Sequence, residues 1–139
     1  VRLILDTNVL ISALLSSVSL PAYLVVLWRE GKFDLLTSTE QLDELIRVTR
    51  YPKIRERLHP SLAGRLINEI RDLAIPLSDL PVVTVSRDPH DNYLLAMAAV
   101  GAADFLVTGD KGDLLPLKTY DGAKILTTRE FLVLHKRLP

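Results

Sequence analysis

Short apolar runs alternate along this chain with longer stretches of helical period. Leu3–Leu5, Asp34–Thr37, Val82–Val85, Phe105–Thr108 and Lys124–Leu126 read as strands. Asn8–Ser16, Pro21–Glu30, Thr39–Thr49, Pro60–Leu73, Pro89–Val100 and Arg129–Arg137 read as helices, with a further turn or two over Pro52–Leu58. Strands separated by helices call for crossover connections, and so for an α/β fold with a mostly parallel sheet covered on both faces. Local punctuation agrees. Ser38 precedes Gln41, and Thr127 precedes Glu130, at capping-box spacing. Pro21, Pro60 and Pro89 fall near helix starts, where a missing N–H costs little. Gly31 and Gly101 fall where helices stop. Trp28 shares a helical stripe with Tyr23, Leu24 and Leu27, read as core or as a dimer face.

A length of 139 residues predicts one compact domain. Such a chain buries roughly 68–70% of its unfolded surface, enough to need no covalent staples. The absence of Cys excludes a disulfide framework and a thiolate metal site, and fits a reducing compartment. No apolar run approaches the ~20 residues of a membrane span, and no signal-peptide pattern opens the sequence. The expectation is a soluble cytoplasmic protein with no membrane partner. Net charge is zero, but it is polarised: Arg47–Arg71 carries seven bases against two acids, and Asp79–Asp121 seven acids against three bases. A basic middle suits a phosphate chain and an acidic second half suits a cation. Solvated helix faces explain the basic stretch equally well.

The acids fall at informative places. Ligand sites of open parallel sheets lie outside the carboxyl ends of the strands. Asp6 directly follows the first strand, and Asp110 follows "DFLVTG" at residues 104–109. Asp91 sits in the first turn of the helix opened by "DPHDNYLLAMAA" and shares a face with Leu94, Leu95 and Ala98, so it points toward the sheet. Glu44 lies on the helix after the second strand, nearly opposite the apolar face of Leu42, Leu45 and Ile46. Each acid also has a local explanation. Asp6 or Thr7 could cap the first helix, and Asp91 could complete a cap with Asp88. Glu44 could be plainly solvated, and Asp110 and Asp113 in "GDKGD" could form an Asx turn. Taken together, carboxylates held close must take up a proton or bind a cation. Oxygen ligands suit Mg²⁺ or Mn²⁺. Zn²⁺ fits less well, because His59, His90 and His135 are not paired at ligand spacing.

"LDTNVLISALL", "EQLDELIRVTRYPKI", "DPHDNYLLAMAAVGAADFLVTGDKGDLL" and "TTREFL" together resemble the PIN domain over about residues 3–132. More narrowly they resemble the single-domain VapC-type toxins of toxin–antitoxin pairs. The resemblance implies a metal-dependent ribonuclease on a three-layer α/β/α fold with a five-stranded sheet of order 3-2-1-4-5. It implies that Asp6, Glu44, Asp91 and Asp110 form an acidic quartet, with Asn8 and Thr108 supporting it, and that an antitoxin is the partner. Two departures stand out. Asn92 occupies a position where many relatives carry a second acid, and Gly112 lengthens the usual "GDKDLL" to "GDKGDLL", so that Asp113 could share the metal with Asp110.

The expected chemistry is in-line hydrolysis of an RNA phosphodiester at one or two Mg²⁺ or Mn²⁺ ions, and the resemblance implies 5′-phosphate and 3′-hydroxyl ends. Lys111 is expected at the scissile phosphate, and Arg47, Arg50, Lys53 and Arg55 along the strand backbone. Exposed apolar positions in the Pro21–Trp28 and Leu132–Leu138 stretches suggest a homodimer or a partner face. Two rival readings stay open. A PIN scaffold could hold RNA or a partner without cutting. A haloacid-dehalogenase-type phosphatase also places an Asp after its first strand, but it needs a second acid where this chain has Asn8.

Overall fold

The computed structural model of the chain describes residues 1–137 and 139. The elements run β1 (Arg2–Leu5), α1 (Thr7–Leu15), α2 (Leu20–Arg29), β2 (Asp34–Ser38), α3 (Thr39–Thr49), α4 (Pro52–Arg55), α5 (Pro60–Leu73) and β3 (Ile75–Leu77). They continue with α6 (Pro89–Val100), β4 (Phe105–Val107), β5 (Thr119–Tyr120), β6 (Ala123–Leu126) and α7 (Thr128–Leu134), with a 3-10 turn at Leu115–Leu117. The sheet order is β3-β2-β1-β4-β6-β5, and every pairing is parallel except β5 with β6.

Strand alternation builds the three layers. Successive side chains point to opposite faces. Leu3, Leu5, Leu35, Val107 and Leu126 pack on one face against α1, α2, α3, α5 and α7. Ile4, Leu36, Leu106 and Ile125 pack on the other, largely against Leu94, Leu95, Met97 and Ala98 of α6. Both faces are thus covered, as a parallel sheet requires. The α2 stripe of Leu24, Leu27 and Trp28 is buried and belongs to the core. Gly101, just past α6, is needed for close approach. A Cβ there would meet Leu36 Cδ1 at 2.6 Å and the Met97 carbonyl oxygen at 3.1 Å.

Two strand expectations change. Val82–Val85 is not a strand; it runs through an irregular segment in which Val82 is 93% exposed. The third strand is Ile75–Leu77, which pairs with β2 directly after α5 and tolerates Pro76 because it is the sheet edge. The additional strand β5 forms a hairpin with β6 through Asp121 (φ 48°) and Gly122 (φ 88°). Both turn residues have positive φ, the two-residue hairpin turn that an Asp-Gly pair favours. The last helix ends at Leu134, short of the expected Arg137. Leu132 is buried while Val133 and Leu134 are exposed; the expected apolar position 138 lies outside the described residues. Among the described residues, no single helix is long and apolar enough to cross a membrane.

Candidate metal centre

Two strand ends, the first turn of α6 and the second turn of α3 supply the acids. The β1–β4 ladder continues through the Asp6 N–H to the Val107 carbonyl (2.9 Å), which sets Asp6 beside Thr108. Asp6 caps α1, its Oδ1 accepting from the Asn8 N–H at 3.4 Å, and it is 6% exposed. Its other oxygen accepts from the Thr108 hydroxyl at 2.7 Å, while Thr108 Oγ1 accepts from the Asp110 N–H at 2.9 Å. Cap and site residue are therefore the same side chain. Burial pushes the Asp6 carboxyl up; the Thr108 and Asn8 hydrogen bonds work against burial, and the charges of Glu44 and Asp110 add to it.

Ser38 ends β2 and caps α3 by accepting from the Gln41 N–H at 3.2 Å. The Gln41 side chain is buried and donates to the Leu5 carbonyl, tying α3 to the end of β1. The buried residues of α3 are Gln41, Leu45 and Thr49. Two of them are polar, so a reading based on Leu42, Leu45 and Ile46 misplaces the inward face. Glu44 lies at the margin of that face, 12% exposed. Tyr93 donates to Glu44 Oε1 at 2.9 Å, and Thr7 lies 3.3 Å from the same hydroxyl. Burial raises the Tyr93 hydroxyl above its ordinary value and keeps it a donor. Glu44 Oε2 meets His90 Nδ1 at 2.8 Å and Arg47 at 3.8 Å.

Asp88 caps α6 by accepting from the His90 N–H. Asp91, in the first turn, is 6% exposed and accepts from the Ser86 hydroxyl at 3.1 Å. Asn92 exchanges two hydrogen bonds with the Ser86 main chain, at 2.8 and 2.9 Å, so it closes the loop before α6. Asp110 Oδ1 accepts from the N–H groups of Gly112 and Asp113. That is the expected Asx-type turn, and it also brings Asp113 alongside. One carboxylate oxygen each from Asp91, Asp110 and Asp113 lies within 4.8 Å of the others. Burial pushes the Asp91 carboxyl up to about 7, with the Asp110 charge adding to the effect and Ser86 opposing it.

A cleft of about 350 Å³ joins Asp6, Asn8, Glu44, Asp91, Asp110 and Asp113. Thr108 lies behind it, buried against Asp6. Lys111, Arg50, Lys53 and Arg55 lie outside its lining; Arg47 reaches it only through Glu44. The tight oxygen trio contains neither Asp6 nor Glu44. Ser86, Tyr93 and His90, which hold the acids in place, and Gln41, which ties α3 to β1, have roles that the sequence does not reveal. Their partners lie up to 49 positions away or in an irregular loop, and no spacing rule links them. The donor set fits a hard divalent cation. Every group in the trio is a carboxylate, and an acid held near neutrality by burial and a like charge lacks a positive neighbour.

This is a mostly parallel α/β domain whose carboxyl edge gathers acids into one cleft, a donor set that suits a divalent cation. The chain belongs to the PIN domain family, which it matches over residues 2–112. PIN domains are generally metal-dependent nucleases. The chain is also 29% identical over 119 residues to the uncharacterized protein MJ1680 of Methanocaldococcus jannaschii, covering 85% of this chain and 76% of that protein.

Proposed function

We propose that the protein is a ribonuclease that hydrolyses RNA phosphodiesters with Mg²⁺ or Mn²⁺. The observation that carries this reading is the convergence of three carboxylate oxygens within 4.8 Å, beside Asp6 and Glu44, in a PIN domain. Asp91, Asp110 and Asp113 would hold the cation, with Asp6 and Glu44 completing the acidic lining. When bound, such a cation neutralises the phosphate and makes water acidic enough to attack near neutral pH.

The chain's own residues do the rest. Thr108 fixes Asp6 through Oδ2, and Tyr93 and His90 fix both oxygens of Glu44. Those two carboxylates are held in orientation before substrate arrives. Asp91 Oδ2 accepts from the Ser86 hydroxyl, which fixes that carboxylate in the cleft. Lys111, on the loop after Asp110, would contact the phosphate, and Arg47, Arg50, Lys53 and Arg55 would follow the strand. The likeness to VapC-type toxins supports a role as the toxin of a toxin–antitoxin pair, with a cognate antitoxin as partner. The test is to incubate the purified protein with defined RNAs, with and without Mg²⁺ or Mn²⁺, and to map the ends. We expect cation-dependent cuts leaving 5′-phosphates, lost in Asp6→Asn. Cleavage by Asp6→Asn at the wild-type rate sinks the mechanism, and intact RNA that is nonetheless bound favours a silent scaffold.

A further inference from the structure

A second pocket, of about 270 Å³, shares Asn8 with the acidic cleft. It lies where the first turns of α1, α2 and α7 meet the Thr108–Gly109 backbone. Small-ligand clefts begin at roughly 300 Å³, so its size suits one unit of a polymer. Val9, Leu20 and Pro21 give it an apolar wall, and Ser12, Thr128 and Arg129 give it hydroxyls and a guanidinium. Among the described residues, Arg129 has no ion-pair partner, and the Asn8 amide and the Ser12 and Thr128 hydroxyls make no side-chain hydrogen bond. Arg47, by contrast, is engaged by Glu44.

This combination has a chemical meaning. A polyanion crossing a cluster of acids is repelled wherever no base faces it, so it needs an uncommitted cation beside the cluster. A nucleobase next to the reacting phosphate needs a flat apolar surface and a few polar groups. The pocket offers both at one step from the acids. We propose that it is the subsite for the nucleotide adjoining the scissile phosphate. Arg129 pairs with that nucleotide's phosphate, its base lies on the Val9–Leu20 wall, and Asn8, Ser12 and Thr128 reach its polar edges. This rests on the nuclease reading above.

Gly109 makes a clean test possible. A Cβ there meets no atom within 4 Å, and its φ is not in the left-handed region. Gly109→Leu therefore adds bulk beside the pocket from a position where the first side-chain carbon meets open space. The measurement is binding of fluorescein-labelled hexauridylate by anisotropy in Ca²⁺, which takes the same oxygen ligands, for wild type, Arg129→Ala and Gly109→Leu. We expect Arg129→Ala to weaken binding about tenfold, the loss of one charge-assisted contact. Its slope of log affinity against log salt falls by about 0.7, one phosphate fewer on a single strand. Gly109→Leu weakens binding with the slope unchanged. Wild-type hydrolysis of bis(p-nitrophenyl) phosphate in Mn²⁺ reads the acidic centre alone, so its absence counts against the nuclease reading. RNA affinity unaltered in Arg129→Ala overturns the subsite, whether or not that hydrolysis is seen and even if Gly109→Leu does not fold.

Discussion

The two halves of the acidic cleft follow opposite electrostatic plans. On one side, Glu44 meets Tyr93, His90 and Arg47, and Asp6 meets the Thr108 hydroxyl and the Asn8 N–H. On the other, Asp91, Asp110 and Asp113 bring three oxygens within 4.8 Å of each other. Their donors are the Ser86 hydroxyl, two backbone N–H groups on a single Asp110 oxygen, and an exposed Arg87 side chain at 3.4 Å. The protein compensates the first pair itself and leaves the trio under-compensated. A cluster of acids says little until its donors are counted. Counted here, they separate acids held in orientation from acids left short of positive charge.

The largest break comes from neutralising the trio. In Asp110→Asn combined with Asp113→Asn, the amide oxygen introduced at position 110 can still accept the backbone N–H groups, so the loop is kept. We expect Mn²⁺ binding by calorimetry to vanish and RNA cleavage to fall at least about 10³-fold, about 4 kcal/mol of lost stabilisation. The metal-free melting temperature should rise, because two like charges have gone. Glu44→Gln should keep measurable Mn²⁺ binding. The reverse outcome, binding lost in Glu44→Gln and kept in the double variant, exchanges the roles of the two halves.

The pH dependence of stability sharpens the same contrast. Asp91 is pushed up to about 7 from an ordinary 3.8. Between those values the folded chain holds a proton that the unfolded chain has released. The native state therefore binds more protons there, and stability falls as pH rises through that window, then levels off. Asp6, also raised by burial, acts in the same direction. In EDTA the melting temperature should decline from about pH 5 to about pH 7.5, and Mn²⁺ should flatten the decline by taking the place of the proton. Asp91→Asn should flatten it without metal. A melting temperature that climbs across the interval would show that the trio is not short of positive charge.

Legibility followed the range of each interaction. α3, α5 and α6 match their expected limits because caps, prolines and helical stripes are local signals. The layer pattern followed from strands spaced by helices, which call for a parallel sheet covered on both faces. The edge strands did not read the same way. Val82–Val85 has strand-forming residues but no neighbour to pair with, whereas Ile75–Leu77 has a proline and does pair. The Asp121–Gly122 signal was present, but the two residues of β5 are too few for any period. At the site, the acids were legible from strand-end logic and from the family likeness. Their partition into two halves was not, because it depends on contacts such as Tyr93 to Glu44 and Gln41 to Leu5 that only the packed sheet creates.

The finest test is Tyr93→Phe, which removes one oxygen atom from the compensated half. The tyrosine hydroxyl joins Thr7 Oγ1 to Glu44 Oε1, and its ring stays to fill the same space. A hydrogen bond to a charged group contributes about 1.5–3 kcal/mol, and water entering the cleft recovers part of it. We expect a melting temperature lower by roughly 3–6 °C. Glu44 then turns more freely, so kcat on RNA should fall about tenfold while KM stays near wild type, since misplacement slows the reacting geometry more than it weakens binding. Mn²⁺ affinity should hardly move, because the trio lacks Glu44. Should Mn²⁺ affinity fall in step with kcat, Glu44 is a ligand in the bound state, and the two halves act as one centre.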